Sequence, residues 1–159
     1  MNTPLRRILL AEDDHRDVDL TVMALADYRI ANRVDIVRDG AEALDYLYRR
    51  GAFENRDPED PAVILLDLKM PKLNGLEVLR QMKEDENLKL IPVVMLTSSR
   101  EERDIVESYR LGVNAYVVKP VDFQQFVDAI KQLGFFWAVV NQVAPGRVEI
   151  QNQTIRAAR

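Results

Sequence analysis

Five short runs of aliphatic and β-branched residues, each followed by a segment with helical periodicity, constrain most strongly how this chain can fold. The runs are RILLA (7–11), RVDIVR (33–38), AVILLD (62–67), PVVMLT (92–97) and AYVVK (115–119). Strands that alternate with helices in this way are typical of a parallel sheet with crossover helices on both faces. We therefore predict an α/β fold with a doubly wound, five-stranded parallel sheet.

The predicted helix starts carry capping signals. Four of them are capping boxes, in which a side-chain cap precedes Glu or Gln by three positions, and these pair Asp39 with Glu42, Asn74 with Glu77, Ser99 with Glu102 and Asp122 with Gln125. Such a box satisfies two backbone N–H groups that a helix start would otherwise leave unpaired. Asp14 is the predicted cap of the first helix. The helices are expected to cover the sheet with Leu44 and Leu47; Val78, Leu79 and Met82; Ile105 and Tyr109; and Phe126, Ile130 and Leu133.

The size of the chain predicts one domain with a tail. A chain of 159 residues that is 47% hydrophobic can bury one core, but it is too short for two domains of ordinary size. We place the domain at 6–137 and a C-terminal extension at 138–159, where RVEI (147–150) could form a short edge strand or part of a dimerisation arm. The polar stretch 51–61, which holds two prolines, is predicted to be an extended loop.

Charge and composition exclude several classes of protein. The chain has 22 basic and 26 acidic residues and no Lys/Arg-rich run, which argues against nucleic acid as a partner. The absence of cysteine excludes disulfides and thiolate metal sites. The first residues lack a signal-peptide core, and the run FFWAVV is too short to span a bilayer. We expect a cytoplasmic protein with no membrane partner.

Asp67 gives the first indication of function, because it ends the most apolar of the five runs. Open parallel sheets bind their ligands beyond the carboxyl ends of the strands. If strands one and three are neighbours, as in the strand order 2-1-3-4-5, Glu12, Asp13 and Asp67 converge there. Three carboxylates repel one another unless a cation lies between them, and Mg²⁺ is the hard divalent ion that oxygen ligands suit.

Two more polar residues stand at strand ends. Thr97 ends the fourth run and Lys119 ends the fifth, so a hydroxyl and an ammonium group should face the same pocket. A carboxylate nucleophile, a metal ion and a cationic side chain are what in-line transfer of a phosphoryl group to aspartate requires. His15, the only histidine, is interpreted as a surface loop residue without a catalytic role.

Four motifs together resemble the receiver domain of two-component response regulators. They are Glu12-Asp13, DLKMPKLNG (67–75), LTSS (96–99) and Lys119-Pro120, and the resemblance extends over residues 6 to about 137. It implies a flavodoxin-like fold of the receiver type and a protein that is not an enzyme, apart from self-phosphorylation by phosphodonors and autodephosphorylation.

The resemblance also implies roles for particular residues. Asp67 would be the phosphoacceptor, Asp13 a direct Mg²⁺ ligand, Glu12 a ligand through water, and the backbone carbonyl of Lys69 a third protein ligand. Thr97 and Lys119 would each bind a phosphoryl oxygen. Tyr116 would change position when Thr97 moves.

Softer features narrow the resemblance. VRDGAEALDYLYRRG (37–51), the longer loop before the third strand and FFW (135–137) are similar to stand-alone receivers that partner bacterial and cyanobacterial phytochromes. This implies a single-domain response regulator whose partner is a sensor histidine kinase of the phytochrome type and whose output is protein contact. Phe135, Phe136 and Trp137 either form a homodimer contact or fold back as core.

Two other functions remain open at this point. An aspartyl phosphatase of the haloacid dehalogenase type also has an Asp after a hydrophobic strand, but it has a second Asp two residues further on, where this chain has Lys69. A pseudo-receiver that keeps the fold and ignores phosphate would have lost Asp67, Asp13 or Lys119, and all three are present.

Overall fold

The computed structural model describes residues 7–27, 33–98 and 101–119, and they form an α/β fold of alternating strands and helices. The strands are β1 (Ile8–Ala11), β2 (Val34–Val37), β3 (Val63–Leu66), β4 (Val93–Thr97) and β5 (Ala115–Val118). The helices are α1 (His15–Asp27), α2 (Gly40–Tyr48), α3 (Gly75–Lys83) and α4 (Glu102–Arg110). Each strand begins and ends within one residue of its predicted bounds.

The five strands form one parallel sheet in the order β2-β1-β3-β4-β5, which confirms the predicted order. The register aligns the last residues of neighbouring strands, since Ala11 of β1 pairs with Val37 of β2 and with Leu66 of β3. The residues that follow β1 and β3 therefore lie side by side at the carboxyl edge of the sheet.

The sheet separates two hydrophobic clusters. Alternate residues of a strand point to opposite faces, so Leu9 belongs to the cluster with α2 and α3, while Leu10 belongs to the cluster with α1. All residues of β1, β3 and β4 are buried, as expected for strands covered on both faces. The predicted helix faces of α2 and α3 are buried as well, namely Leu44, Leu47, Val78, Leu79 and Met82.

The structure confirms three of the predicted caps. Asn74 and Glu77 form the full capping box of α3. The Asp39 side chain accepts from the Glu42 N–H at 2.7 Å, but the Glu42 carboxylate accepts from the N–H of Arg38, one residue before the cap. Asp14 accepts from the N–H groups of residues 16 and 17. Ser99 and Asp122 lie outside the described residues, and α4 begins after Glu101 without a side-chain cap.

One predicted helix face is wrong. Tyr109 of α4 is 52% exposed and Ile105 is half-buried, whereas Asp104 and Ser108 are buried. The Ser108 hydroxyl donates to the backbone oxygen of Asp104, one turn earlier, which satisfies it inside the fold. Tyr109 is used differently: its hydroxyl oxygen accepts from the backbone N–H of Tyr116 on the edge strand β5. A strand at the edge of a sheet leaves such groups unpaired, so the tyrosine caps one of them.

Several predictions concern residues outside the described part. They are the helix with Phe126, Ile130 and Leu133, the aromatic residues Phe135, Phe136 and Trp137, and the extension 138–159. The loop 51–61 is described, and it contains a short 3-10 turn at Gly51–Phe53. Among the described helices, none has the length and apolar character that a membrane span requires.

Candidate functional site

The carboxyl edge of the sheet brings three acidic side chains together. Carboxylate oxygens of Glu12, Asp13 and Asp67 all lie within 4.8 Å of one another. Glu12 is 2% and Asp67 7% exposed, whereas Asp13 is exposed. The aligned ends of β1 and β3 cause this convergence. Two buried carboxylates, Glu12 and Asp67, and the exposed carboxylate of Asp13 therefore form one site, which we call the acidic pocket.

Close backbone packing fixes Asp67. Its N–H continues the sheet ladder to Ala11 at 3.0 Å, and the chain then turns so that the Gly75 N–H donates to Leu68 at 2.8 Å. A Cβ on Gly75 would lie 2.4 Å from the Asp67 carbonyl oxygen, a distance that real Cβ atoms do not adopt. Only glycine at this position lets α3 start against the backbone of Asp67.

Lys119 reaches the acidic pocket from the end of strand β5, two strands away from β3. Its backbone N–H donates to Thr97 at 2.7 Å, which sets it directly beyond the ends of β4 and β5. Its ammonium nitrogen lies 2.5 Å from Glu12 Oε1 and 3.6 Å from Asp67 Oδ2. The Lys119 side chain is 8% exposed, so these charges interact with little screening by water.

A third acid, from outside the acidic pocket, contacts the same ammonium group. Asp17, the third residue of α1, places Oδ2 2.7 Å from the Lys119 nitrogen. This contact was not predicted from the sequence. The available signal was its position one helical turn after Asp13, which puts a carboxylate at the start of the helix that follows β1.

Burial and crowding shift two pKa values in this site. Burial, followed by the proximity of Asp67, raises the pKa of Glu12 to about 8, although Lys119 opposes the shift. Burial lowers the pKa of Lys119, but Asp67, Asp17 and Glu12 outweigh this, and the net shift is upward. Lys119 therefore stays charged, and without a further cation Glu12 is largely protonated at neutral pH.

The remaining predicted site residues lie close by or outside the described part. Thr97 is fully buried at the end of β4, and its strand partner on β5 is Val118. Tyr116 pairs with Met95 and packs, half-buried, against the larger hydrophobic cluster. The backbone N–H of Lys69 donates to Asp67 Oδ1 at 3.3 Å, so residue 69 borders the pocket. Phe135, Phe136 and Trp137 lie outside the described residues.

The acidic pocket suits a divalent cation. Its donors are carboxylate oxygens, which hard cations prefer, and Asp13 keeps the pocket open to water. The proximity of Asp67 adds to the effect of burial in raising the pKa of Glu12, which indicates repulsion between the two carboxylates. A divalent ion bound by Asp13 and Asp67, with Glu12 nearby, would relieve this repulsion.

Comparison with known proteins gives the class to which this fold and site belong. The family model for the response regulator receiver domain matches residues 8–131. The chain belongs to this family, so it is a receiver of two-component signalling and not a conventional enzyme.

Its relatives include other response regulators. The chain is 39% identical to response regulator Rcp1 of Synechocystis sp. over 136 residues, which cover 86% of this chain and 91% of Rcp1. Rcp1 has also been solved in a Mn²⁺-bound form, with a TM-score of 0.78, 35% identity and coverage of 92% of this chain and 99% of that one.

Two further solved structures are similar. The phosphorylated cyanobacterial phytochrome response regulator RcpA has a TM-score of 0.78 and is 42% identical, with coverage of 84% of this chain and 94% of that one. The bacteriophytochrome response regulator RtBRR has a TM-score of 0.72 and is 63% identical, with coverage of 89% of this chain and 86% of that one. The resemblance predicted from the motifs is confirmed.

Proposed function

We propose that this protein is a single-domain response regulator that accepts a phosphoryl group on Asp67 from the histidine of a sensor kinase. The observation that supports this most is the arrangement around Asp67. Its carboxylate stands at a strand end with Glu12 and Asp13 on one side and the ammonium of Lys119 3.6 Å away on another. A nucleophile with a cation site and a fixed positive charge is what phosphoryl transfer needs.

In the proposed reaction a carboxylate oxygen of Asp67 attacks the phosphorus atom. The bond from phosphorus to the kinase histidine breaks, and the imidazole nitrogen keeps the electron pair. Lys119 lies where it can compensate negative charge on the transferred group. Hydrolysis of the resulting mixed anhydride by water returns the Asp67 carboxylate and releases inorganic phosphate.

Mg²⁺ is the proposed cofactor, held directly by Asp13, Asp67 and the backbone carbonyl of Lys69, and by Glu12 through water. When bound, it would neutralise charge on the phosphoryl oxygens and on the carboxylates. The support from this chain is the acidic pocket itself.

Signalling is proposed to depend on Thr97 and Tyr116. Thr97 is buried at the end of β4, beside the strand that carries Tyr116 and Lys119. A hydroxyl that bonds a new phosphoryl oxygen would shift the end of β4, and the half-buried Tyr116 would follow. Because the Tyr116 N–H is bonded to Tyr109 of α4, such a change would alter the surface of β5 and α4.

The proposed kinase partner is of the phytochrome type. RcpA and RtBRR, which are 42% and 63% identical to this chain, are phytochrome and bacteriophytochrome response regulators.

We further propose a cytoplasmic homodimer, with a receiver domain at 6–137, the extension 138–159 as a dimerisation arm or edge strand, and Phe135, Phe136 and Trp137 at the interface. Light scattering on Trp137→Ala tests this, since loss of an interface residue gives a folded monomer and loss of a core residue gives an unfolded chain.

The test of the central proposal is incubation with acetyl phosphate and Mg²⁺, read by intact mass. We expect one phosphoryl adduct on the wild type, none on Asp67→Asn, and one on the control Asp57→Asn, because Asp57 is an exposed acid of the loop 51–61. An adduct that persists in Asp67→Asn contradicts the proposal. Turnover of an added phosphomonoester would indicate a phosphatase, and a chain that shows neither adduct nor turnover would be a pseudo-receiver.

A further inference from the structure

The contact between Asp17 and Lys119 has a consequence for the switch. The Lys119 ammonium lies within hydrogen-bond distance of Asp17, at 2.7 Å, and of Glu12, at 2.5 Å, but it is 3.6 Å from Asp67. The lysine is therefore hydrogen-bonded to two acids other than the proposed phosphoacceptor, with which it forms only a longer ion pair. We propose that Asp17 is a positioning residue that holds Lys119 in the resting protein and competes with a phosphoryl group on Asp67 for its ammonium.

The structure fixes Asp17 well enough for this role. It stands in the first turn of α1, where the backbone N–H of Asp17 donates to Asp14 Oδ1 at 3.2 Å and the Thr21 hydroxyl donates to the Asp17 backbone oxygen at 2.8 Å. These bonds involve only the backbone of Asp17, so its carboxylate is left for Lys119. The Asp17 side chain is 31% exposed, while that of Lys119 is 8% exposed.

Asp17 differs from Glu12 in one respect that matters. Glu12 shares the acidic pocket with Asp13 and Asp67, so a cation bound there competes with Lys119 for Glu12. Asp17 is not a member of that group. A cation in the pocket would therefore not take Asp17 away from Lys119, and Asp17 would still oppose the movement of the ammonium toward Asp67.

The consequence for signalling rests on the proposed function. If Lys119 must leave Asp17 to pair with a phosphoryl oxygen, the Asp17 contact weakens the phosphorylated state relative to the resting state. A substitution that removes this carboxylate charge should then strengthen binding of a phosphoryl group or its analogue. If Asp17 instead helped to aim the lysine at Asp67, the same substitution would weaken binding.

The first experiment measures the affinity for beryllium trifluoride, an anion that can take the place of a phosphoryl group on a carboxylate, in the presence of Mg²⁺. We expect Asp17→Asn to bind it about three- to tenfold more tightly than the wild type, the effect of losing one partly exposed, charge-assisted hydrogen bond. The matched control is Asp19→Asn, an exposed acid on the same helix, which should bind it as the wild type does. Equal or weaker binding by Asp17→Asn than by Asp19→Asn overturns the proposal.

The second experiment uses the metal-free protein and tests the pair itself. Urea unfolding of the wild type, Asp17→Asn, Lys119→Met and the double variant gives a double-mutant cycle. We expect the effects of the two substitutions to be clearly non-additive, because each removes the same contact. Additive effects would show that Asp17 acts only on its helix, and they overturn the proposal.

The two failures can be told apart. If the wild type neither forms an adduct with acetyl phosphate nor binds beryllium trifluoride, the proposed function fails, whereas the unfolding cycle still reports on the Asp17–Lys119 pair. If the wild type binds the analogue and Asp17→Asn gains nothing, the proposed function stands and the role of Asp17 is wrong.

Discussion

The two ends of the sheet differ in the balance of acidic and basic side chains. At the amino end one acid, Asp35 of β2, is surrounded by donors. Arg7 and Arg33 each approach its carboxylate to 3.2 Å, and the Tyr46 hydroxyl donates to it at 2.5 Å. Burial and the neighbouring Asp35 raise the pKa of Tyr46, so its hydroxyl remains a donor. The guanidinium of Arg56 lies 4.2 Å above the Tyr46 ring and extends the network into the loop 51–61.

At the carboxyl end the balance is reversed. One cation, Lys119, lies among Glu12, Asp17 and Asp67, with Asp13 beside them. The acids at this end outnumber the cation, and the proximity of Asp67 adds to burial in raising the pKa of Glu12. The same sheet thus has one end where a single acid is paired with two cations and another end where one cation is shared by several acids. We infer that the first arrangement stabilises the fold, whereas the second costs stability and fits the proposed function.

The largest effect is expected from Asp35→Asn. This change weakens two ion pairs and the bond to Tyr46 around a carboxylate that is only 17% exposed. We expect the free energy of unfolding to fall by about 3 kcal/mol, the range for breaking a largely buried charge network. Urea unfolding measures it, with the exposed Asp57→Asn as control. A loss no larger than that of the control would remove the contrast between the two ends.

Gly75→Ala is expected to reduce the free energy of unfolding by a smaller amount. It tests whether backbone packing stabilises the carboxyl end of the sheet, as the ion pairs of Asp35 stabilise the amino end. The new Cβ would meet the Asp67 carbonyl oxygen at 2.4 Å. We expect the free energy of unfolding to fall by about 2 kcal/mol, as for other overpacked sites. Gly51→Ala is the comparison, because its Cβ would lie 3.6 Å from Asp45 and only its positive φ adds cost. If Gly75→Ala is no worse than Gly51→Ala, packing does not fix Asp67.

The third prediction concerns pH and Mg²⁺. In the metal-free protein Glu12 keeps its proton up to pH about 8, whereas a free glutamate loses it near 4.5. The native state thus binds more protons between these values, and its stability falls as pH rises through this window. Mg²⁺ binding should release the proton, so its affinity should rise with pH by up to about tenfold per unit, or about 1.4 kcal/mol, below that pKa.

Calorimetric titration with Mg²⁺ from pH 6 to pH 9 measures how the affinity depends on pH. Two buffers with different heats of ionisation are used, so that the number of protons released on binding can be determined. Glu12→Gln is the control, and its Mg²⁺ affinity should lose this dependence on pH because the titrating group is gone. An affinity that is constant from pH 6 to pH 8 in the wild type would contradict the account of Glu12.

The smallest effect is expected from Asp67→Asn. Removing this carboxylate relieves its repulsion of Glu12, while Lys119 keeps its contacts with Glu12 and Asp17. In metal-free protein at pH 8 we expect the free energy of unfolding to rise by about 1 kcal/mol, the scale of a pKa shift of somewhat less than one unit. A loss of stability similar to that of Asp35→Asn would mean that both ends of the sheet serve the fold alike.

The fold was largely predictable from the sequence because the strand runs are short, apolar and bounded. The proximity of Glu12, Asp13 and Asp67 was predictable because neighbouring parallel strands end at the same edge of the sheet. The register of Ala11 with Leu66 and the distances between the three carboxylates confirm it. The cap of α3 was also predictable, because a capping box depends only on two residues that are three positions apart in the sequence.

Contacts that depend on side-chain reach were not predictable. Lys119 contacts Asp17 across 102 positions of sequence, and no local pattern says which of several nearby acids a long side chain selects. Tyr109 was predicted to face the sheet together with Ile105, yet it is exposed and its hydroxyl oxygen accepts from the backbone N–H of Tyr116 on β5. Arg56 lies in a stretch predicted to be a plain loop, and its stacking on Tyr46 depends on how that loop folds back.

A crystal structure with Mg²⁺ and beryllium trifluoride tests the central claim most directly. We expect the beryllium trifluoride anion on Asp67, the cation in contact with Asp13 and Asp67, and the Lys119 ammonium next to a fluorine atom and released from Asp17. An unmodified Asp67, with the cation bound elsewhere and Lys119 still paired with Asp17, would contradict it.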